Sequence, residues 1–346
     1  MNSIRRLFDM SIKGLISLST AYLSVVFSAN IYATNLFVPA YFDPSSPPAP
    51  AYWNGLAAAA QIVPTTVIIN PDNGFGTSAD PGYVTAIDLI RGSGGKVIAY
   101  VHTDYGDRPL IDIAIEIDNY IAFYVIDGFF IDQMAADGTD ENILYYEQIY
   151  NYIKNKSSHY SVTGDPGVVP DEIYLSKPVA DNLVVFQGSM RSYVNFKPEQ
   201  WQRNYPKDRF IHIVYSATWY QMMQAFSRAD TNYAGNLYVT DDSLPNPYDS
   251  LPQYGELELE MATVTPNKEQ KIFIFAEQLF PQYFSPANVD NQQFDGFIYR
   301  YYSTTNAYIG IKNGDVFILG DAFGPSIRRI DTIENTLQLL ESAAGS

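Results

Sequence analysis

Carboxylates, amides and tyrosines recur where short apolar runs of this chain stop. In VIDGFFIDQMAAD (Val125–Asp137) the run ends at Asp132 and Gln133. Comparable ends carry Tyr41 and Asp43, Asn70 and Asp72, His102 and Asp104, Asp165, Gln187, Tyr215, and Asp241 with Asp242. A carboxylate ending a buried strand can trade protons or steady a developing cation. The amide beside it keeps hydrogen-bonding capacity but cannot donate or accept a proton in catalysis. Asp43, Asp72 and Asp165 each stand beside Pro or Gly and read as turn or helix-cap residues. His102, Asp104, Asp132, Asp241 and Asp242 read as members of a site.

The aromatic load indicates a ligand class. Tyr accounts for 28 residues and aromatics for 15% of the chain, enough to line a site as well as a core. Sugar rings pack their C–H faces on aromatic rings, and tyrosine hydroxyls bond sugar hydroxyls. Tyr41, Tyr105, Tyr215 and Tyr254 are the tyrosines expected to face ligand.

Other chemistries are disfavoured. With no cysteine, disulfides, thiolate catalysis and thiolate metal sites are excluded. The histidines His102, His159 and His212 lack metal-ligand spacing, so no metal and no cofactor are expected. His159 reads as a solvated loop residue and His212 as a core histidine. No G-x-S-x-G elbow and no phosphate loop occurs. A formal charge of -17 argues against nucleic acid or anionic lipid as partner, and suits a neutral or cationic polymer such as a partly deacetylated amino-sugar glycan.

The elements that must position these groups follow from the runs themselves. LFVPAYF (Leu36–Phe42), TTVIIN (Thr65–Asn70), KVIAYV (Lys96–Val101), GFFID (Gly128–Asp132), YSVTGDPG (Tyr160–Gly167), NLVVFQG (Asn182–Gly188), FIHIVYSA (Phe210–Ala217) and NLYVTDD (Asn236–Asp242) read as strands. Most are continuously apolar, as strands covered on both faces are. Helical segments lie between them: DPGYVTAIDLIRGSGG, with Asp80 as cap and Pro81 in the first turn, then RPLIDIAIEIDNYIAFY and DENILYYEQIYNYIKNK. Strand and helix alternating through eight runs predicts an α/β fold, a (β/α)8 TIM-like barrel over residues 34–260. A doubly wound sheet is the runner-up, weakened because no Gly-rich dinucleotide fingerprint follows the first strand.

Beyond residue 270, KIFIFAEQLFPQYF reads as a helix. FDGFIYRYY, AYIGIK and DVFILG read as strands, with Asn313-Gly314 as a hairpin turn, and IRRIDTIENTLQLLESA reads as an amphipathic helix. Residues 270–346 are thus expected to form a small α+β accessory domain. At the other end, Arg5, Arg6 and Lys13 precede an apolar stretch ending at Ala33. That layout predicts a signal peptide over residues 1–33, hence a secreted, cell-surface or periplasmic protein with no membrane association after cleavage. An uncleaved anchor is the alternative.

The blocks VPAYFDPSSP, VPTTVIINPDNGFG, GGKVIAYVHTDYGDRP, IDGFFIDQM, GDPG, VVFQGS, HIVYSA and VTDDSLPNPYDSLPQY occur in this order. Together they resemble the spherulin-4 (spherulation-specific) family, from about Phe37 to Tyr254. The resemblance implies a secreted glycoside-hydrolase barrel, some relatives of which cleave α-1,4-linked N-acetylgalactosamine in galactosaminogalactan, a biofilm exopolysaccharide. It also implies an Asp-Glu pair ending the fourth strand and a Glu ending the sixth. Asp132 matches the Asp. Gln133 and Gln187 stand where the two Glu are expected.

Two expectations follow. In one, the barrel binds an amino-sugar exopolysaccharide through Asp132, Gln133, Gln187, His102, Asp104 and Asp241, with catalysis weakened or lost. In the other, it is an active endo-glycosidase that uses Asp132 with Asp104, Asp241 or Asp242. The second needs another carboxyl about 5 to 9.5 Å from Asp132. A surface protein that leaves the mouth unused is the remaining reading.

Overall fold

The computed structural model describes residues 34–263, 266–286 and 289–345. The expected signal peptide lies outside the described residues. Among these, no helix is long and apolar enough to cross a membrane. The described residues divide into two compact units, one running to residue 263 and the other from residue 266 on.

The first unit is a closed barrel of eight parallel strands in chain order. They are β1 (Asn35–Ala40), β2 (Thr65–Ile69), β3 (Lys96–His102), β4 (Gly128–Asp132), β5 (Ser161–Gly164), β6 (Asn182–Ser189), β7 (Phe210–Tyr215) and β8 (Asn236–Val239). β8 closes on β1 through Asn35 opposite Asn236 and Leu36 opposite Leu237. The strands are buried on both faces, which is why their sequences are continuously apolar instead of alternating.

Helices wrap the barrel: α1 (Ala49–Ala60), α2 (Pro81–Gly92), α3 (Leu110–Phe123), α4 (Asp140–Lys156), the short α5 (Ile173–Ser176) and α6 (Met190–Tyr193), α7 (Trp219–Arg228) and α8 (Gly255–Thr263). Asp80 caps α2 as expected, accepting from Gly82 N at 2.7 Å and Tyr83 N at 3.2 Å. α1, α5, α6, α7 and α8 are not among the helical segments expected from the sequence. α7 is capped by Thr218 and Gln221 in a reciprocal capping box.

Carboxylates finish the barrel's hydrogen bonding where ladders end. Asp127 and Asp181, each just ahead of a strand, accept the backbone N–H of Val97 and Val162 in the neighbouring strand, both at 2.8 Å. Glu258 of α8 does the same for Val239 N at 2.8 Å. An unmatched buried N–H is costly, so such groups find acceptors. Burial pushes the Glu258 carboxyl up to about 8, against the opposing pull of the Val239 N–H. Its folded value lies above its unfolded one, so its stabilising contribution is full below about pH 4.5 and is lost as pH rises toward 8. Thermal melts from pH 5 to pH 8 should therefore show falling stability, with Glu258 contributing at most about 1.4 kcal/mol per pH unit. Glu258→Gln should flatten that slope; an unchanged slope would mean Glu258 is ionised throughout.

The second unit is a five-stranded antiparallel sheet in the order β13-β12-β11-β10-β9. Its strands are β9 (Val289–Phe294), β10 (Phe297–Tyr302), β11 (Ala307–Lys312), β12 (Asp315–Gly320) and β13 (Gly324–Thr332), with α9 (Lys268–Leu279) and α10 (Ile333–Ala344). The Asn313-Gly314 hairpin forms with both residues at positive φ, 52° and 82°.

Three expectations for this unit are corrected. FDGFIYRYY is not one strand: Asp295 and Gly296, at φ 47° and 76°, turn the chain between β9 and β10. β9 was hidden because VDNQQF is polar and largely exposed. IRRIDT is strand β13, not helix. Its Ile327 and Ile330 mimic helical spacing with Ile333, yet both are exposed. The helix begins only after Thr332, which caps it by accepting from Asn335 N. The helix α9 starts earlier than read, behind the Asn267 capping box, and ends before FPQYF.

Candidate active site at the barrel mouth

In a parallel barrel the carboxyl ends of the strands converge on one face. There, alternate side chains of β1, β3, β4, β6 and β7 and the residues following β2 and β5 surround a cavity of about 390 Å³. That volume lies within the range of small-ligand sites, about 300–1,000 Å³. Phe130 floors it, while Pro39 and Ile213 add apolar wall. The segment after β8 covers one side with Pro245, Asn246 and Tyr248.

Three tyrosines make a continuous aromatic wall. Tyr41 packs edge-to-face on Tyr100 and on Tyr248, each with ring centroids 5.7 Å apart. Burial raises all three hydroxyls well above the ordinary phenol value, so they stay neutral donors. The Tyr100 hydroxyl donates to Asp132 Oδ2 at 2.7 Å, and Gln187 Nε2 donates to the Tyr248 hydroxyl at 2.9 Å.

Asp132 and Asp165 share the cavity. Asp165 is only 2% exposed; its Oδ1 accepts from Gly167 N at 2.7 Å, and its Oδ2 has no partner among the described residues. Burial raises both carboxyls. Asp165 is driven up further by the neighbouring Asp132 charge, whereas the Tyr100 hydroxyl and the Gln133 N–H draw Asp132 back down. The pair is therefore asymmetric: its surroundings favour the proton on Asp165 and the charge on Asp132.

The spherulation-specific family 4 model matches residues 35–261, the whole barrel. The chain belongs to this family. Spherulin-4 of Physarum polycephalum is 32% identical over 217 residues, 60% of this chain and 63% of that protein. The chain thus spans less than two thirds of that relative's length. Among solved structures, Sph3 of Aspergillus clavatus, determined in complex with GalNAc, superposes with a TM-score of 0.59 at 20% identity. The match covers 67% of this chain and 98% of that one. It shows that the two share the barrel fold.

Within this family barrel, Tyr41, Asn70, Asp132 and Gln187 come together around the cavity. The others stand elsewhere. His102, one alternate step beyond Tyr100 on β3, stacks on that ring at 6.4 Å and lies 3.9 Å from Asp104. Asp104 and Tyr105 are exposed, at φ 47° and 58°. Gln133 is half-buried at φ 51°, and its carbonyl accepts from Tyr105 N and Thr103 Oγ1, both at 2.8 Å; its side chain is not among those lining the cavity. Tyr215 is half-buried at the end of β7, outside the cavity lining. Asp241 is exposed, and Asp242 accepts from Ser243 N and Ser250 Oγ in its own loop. Tyr254, expected to face ligand, is buried with its hydroxyl donating to Ala217 O at 2.9 Å; Tyr248 occupies the mouth in its place.

Tyr100, Tyr248 and Asn73 line the cavity and are not among the residues expected from the sequence, while Asp165 was expected there only as a strand-end turn residue. Tyr100 was available from strand alternation, two residues before His102 on the same face. Asp165 does make the turn its neighbours suggested, as Asp43 does with Ser45 N and Ser46 Oγ. It also lines the cavity, which local sequence does not reveal. His212, expected in the core, is fully buried. Its Nδ1 lies 2.9 Å from the Tyr193 hydroxyl, and burial lowers its pKa to about 3.

Proposed function

We propose that the barrel of this exported protein binds an amino-sugar exopolysaccharide of the N-acetylgalactosamine type, with catalysis weakened or lost. The observation that carries this reading is the cavity itself. A tyrosine wall offers surface to sugar C–H faces, while Asp132, Asn70 and the Gln187 amide supply hydrogen-bonding groups. The GalNAc complex of Sph3 concerns that protein, but the shared fold supports the same ligand class here. Gln187 stands at a position where the family resemblance implies Glu, and an amide there holds substrate without moving protons. Export rests on the Arg5, Arg6 and Lys13 cluster ahead of the apolar stretch.

The test is retention on a galactosaminogalactan-type polymer. The natural protein should co-sediment with it. Asp132→Ala and Tyr41→Ala should each weaken binding by about tenfold or more, since each removes a central cavity contact. Equal retention of both variants would place the glycan site elsewhere.

Asp165 favours a second reading, a glycosidase that has re-sited its acid. A protonated carboxyl beside a charged one is the combination that glycoside hydrolysis uses. Release of reducing ends by the natural protein, abolished by Asp165→Asn, would select this reading.

A further inference from the structure

The cavity is unusual in what it lacks. Two carboxyls face it, yet no Lys, Arg or His is among its lining residues. Of the cations nearby, Arg108 is engaged with Glu116 at 2.5 Å and with the His102 carbonyl at 2.9 Å. His102 lies on the same strand as Tyr100 but outside the lining. Two oxygen atoms in the cavity are buried and have no hydrogen-bond partner among the described residues, Asp165 Oδ2 and Asn70 Oδ1. Buried polar atoms without partners are rare, and each is costly unless a ligand completes it.

A ligand completing this site must bring several N–H donors and positive charge. We propose that the cavity recognises a protonated primary amine, the ammonium group of a deacetylated amino-sugar residue, held between Asp132, Asp165 and Asn70 against the tyrosine wall. An ammonium has three donors and no acceptor, which suits Asn70 Oδ1, the charged Asp132 carboxylate and the Asp165 carboxyl once its proton has left. Tyr41, Tyr100 and Tyr248 present ring surface that attracts cations. An N-acetyl group offers one N–H, no charge, and a carbonyl that would meet Asp132 as a second acceptor. Only two carboxyls converge here, and among the described residues no cluster suits a metal ion. The charge of -17 favours approach of a cationic polymer.

This inference rests on the glycan-binding reading and names the residue that the site prefers. It also predicts a proton signature. Burial and the Asp132 charge favour the protonated form of Asp165 in the free site, and an arriving ammonium favours its carboxylate, so binding should release a proton. The groups facing the pair are Tyr41 just after β1, Tyr100 from β3, Gln187 from β6 and Tyr248 after β8, with His102 stacked on Tyr100 outside the lining. The tyrosines and the amide stay neutral at pH 7.

The experiment is calorimetric titration of the purified protein at pH 7. The ligands are α-1,4-linked galactosamine oligosaccharides in free-amine and fully N-acetylated forms, in two buffers of different ionisation enthalpy. The free-amine form should bind at least about tenfold tighter, the scale of one charged hydrogen bond. Its binding should release up to one proton, while the N-acetylated form releases none. Asp165→Asn should abolish both the preference and the proton release, and His102→Gln should leave both in place. Equal or tighter binding of the N-acetylated form, without proton release, overturns the inference and leaves the glycan reading standing. Binding of neither form overturns both.

Discussion

The Gln133→Glu, Gln187→Glu double variant should release reducing ends from a galactosaminogalactan-type polymer at least about 10²-fold faster than the natural protein, the lower end of what a positioned acid or base contributes. The two substitutions nearly conserve shape. At position 187 the Tyr248 hydroxyl, now accepting from the amide, can rotate to donate to a carboxylate. A carboxyl there joins Asp132 and Asp165 in one cavity. Like charges and burial hold part of such a cluster protonated at neutral pH, which is the state a general acid needs. Gln187→Glu alone should restore most of the gain, because the Gln133 side chain does not line the cavity. Matching release by the natural protein would show that the amides are not disabling. Silence from both proteins would discard the substrate class.

Gly128→Ala should destabilise the barrel by about 3 kcal/mol or more, the upper end for overpacking. Gly128 opens β4 opposite Ile98 and Ser161. A Cβ there would run into the Ser161 backbone, 2.7 Å from its nitrogen and closer still to its carbonyl oxygen. Backbone cannot swing aside as a side chain can, so β4 and β5 must separate. Asp132 ends β4 and Asp165 follows β5, so the site should loosen with them. Gly92→Ala is the control: nothing lies within 4 Å of its Cβ, and it closes helix α2. It should be neutral or stabilising by up to about 1 kcal/mol. Thermal unfolding followed by far-UV circular dichroism separates the two. A Gly128→Ala protein that melts with the natural one would contradict the β4–β5 register.

The barrel was legible because its signals are local. Each strand is a short apolar run with punctuation at both ends, and eight of them with intervening helices permit few architectures. The second unit was read less well for the same reason. A polar edge strand such as VDNQQF gives no apolar signal, and IRRIDT carries helical spacing by coincidence of Ile327, Ile330 and Ile333. At the mouth, five of the residues named at strand ends, Tyr41, Asn70, Asp132, Asp165 and Gln187, meet around one cavity, though Asp165 reads in sequence as a turn residue. Tyr254 does not, because its ring turns inward to the Ala217 carbonyl.

The sequence by itself determined the fold class, the family and the end of the barrel that carries polar groups, since these depend on residue order and spacing along the chain. Only the tertiary structure decided which of those groups face one another. Asp165 beside Asp132, Tyr100 under Asp132 and Tyr248 over Gln187 are meetings between segments far apart in the chain. They are fixed by strand register and by the course of the loop after β8. Burial and a neighbouring charge then set the protonation of each carboxyl, and neither quantity exists until the barrel closes.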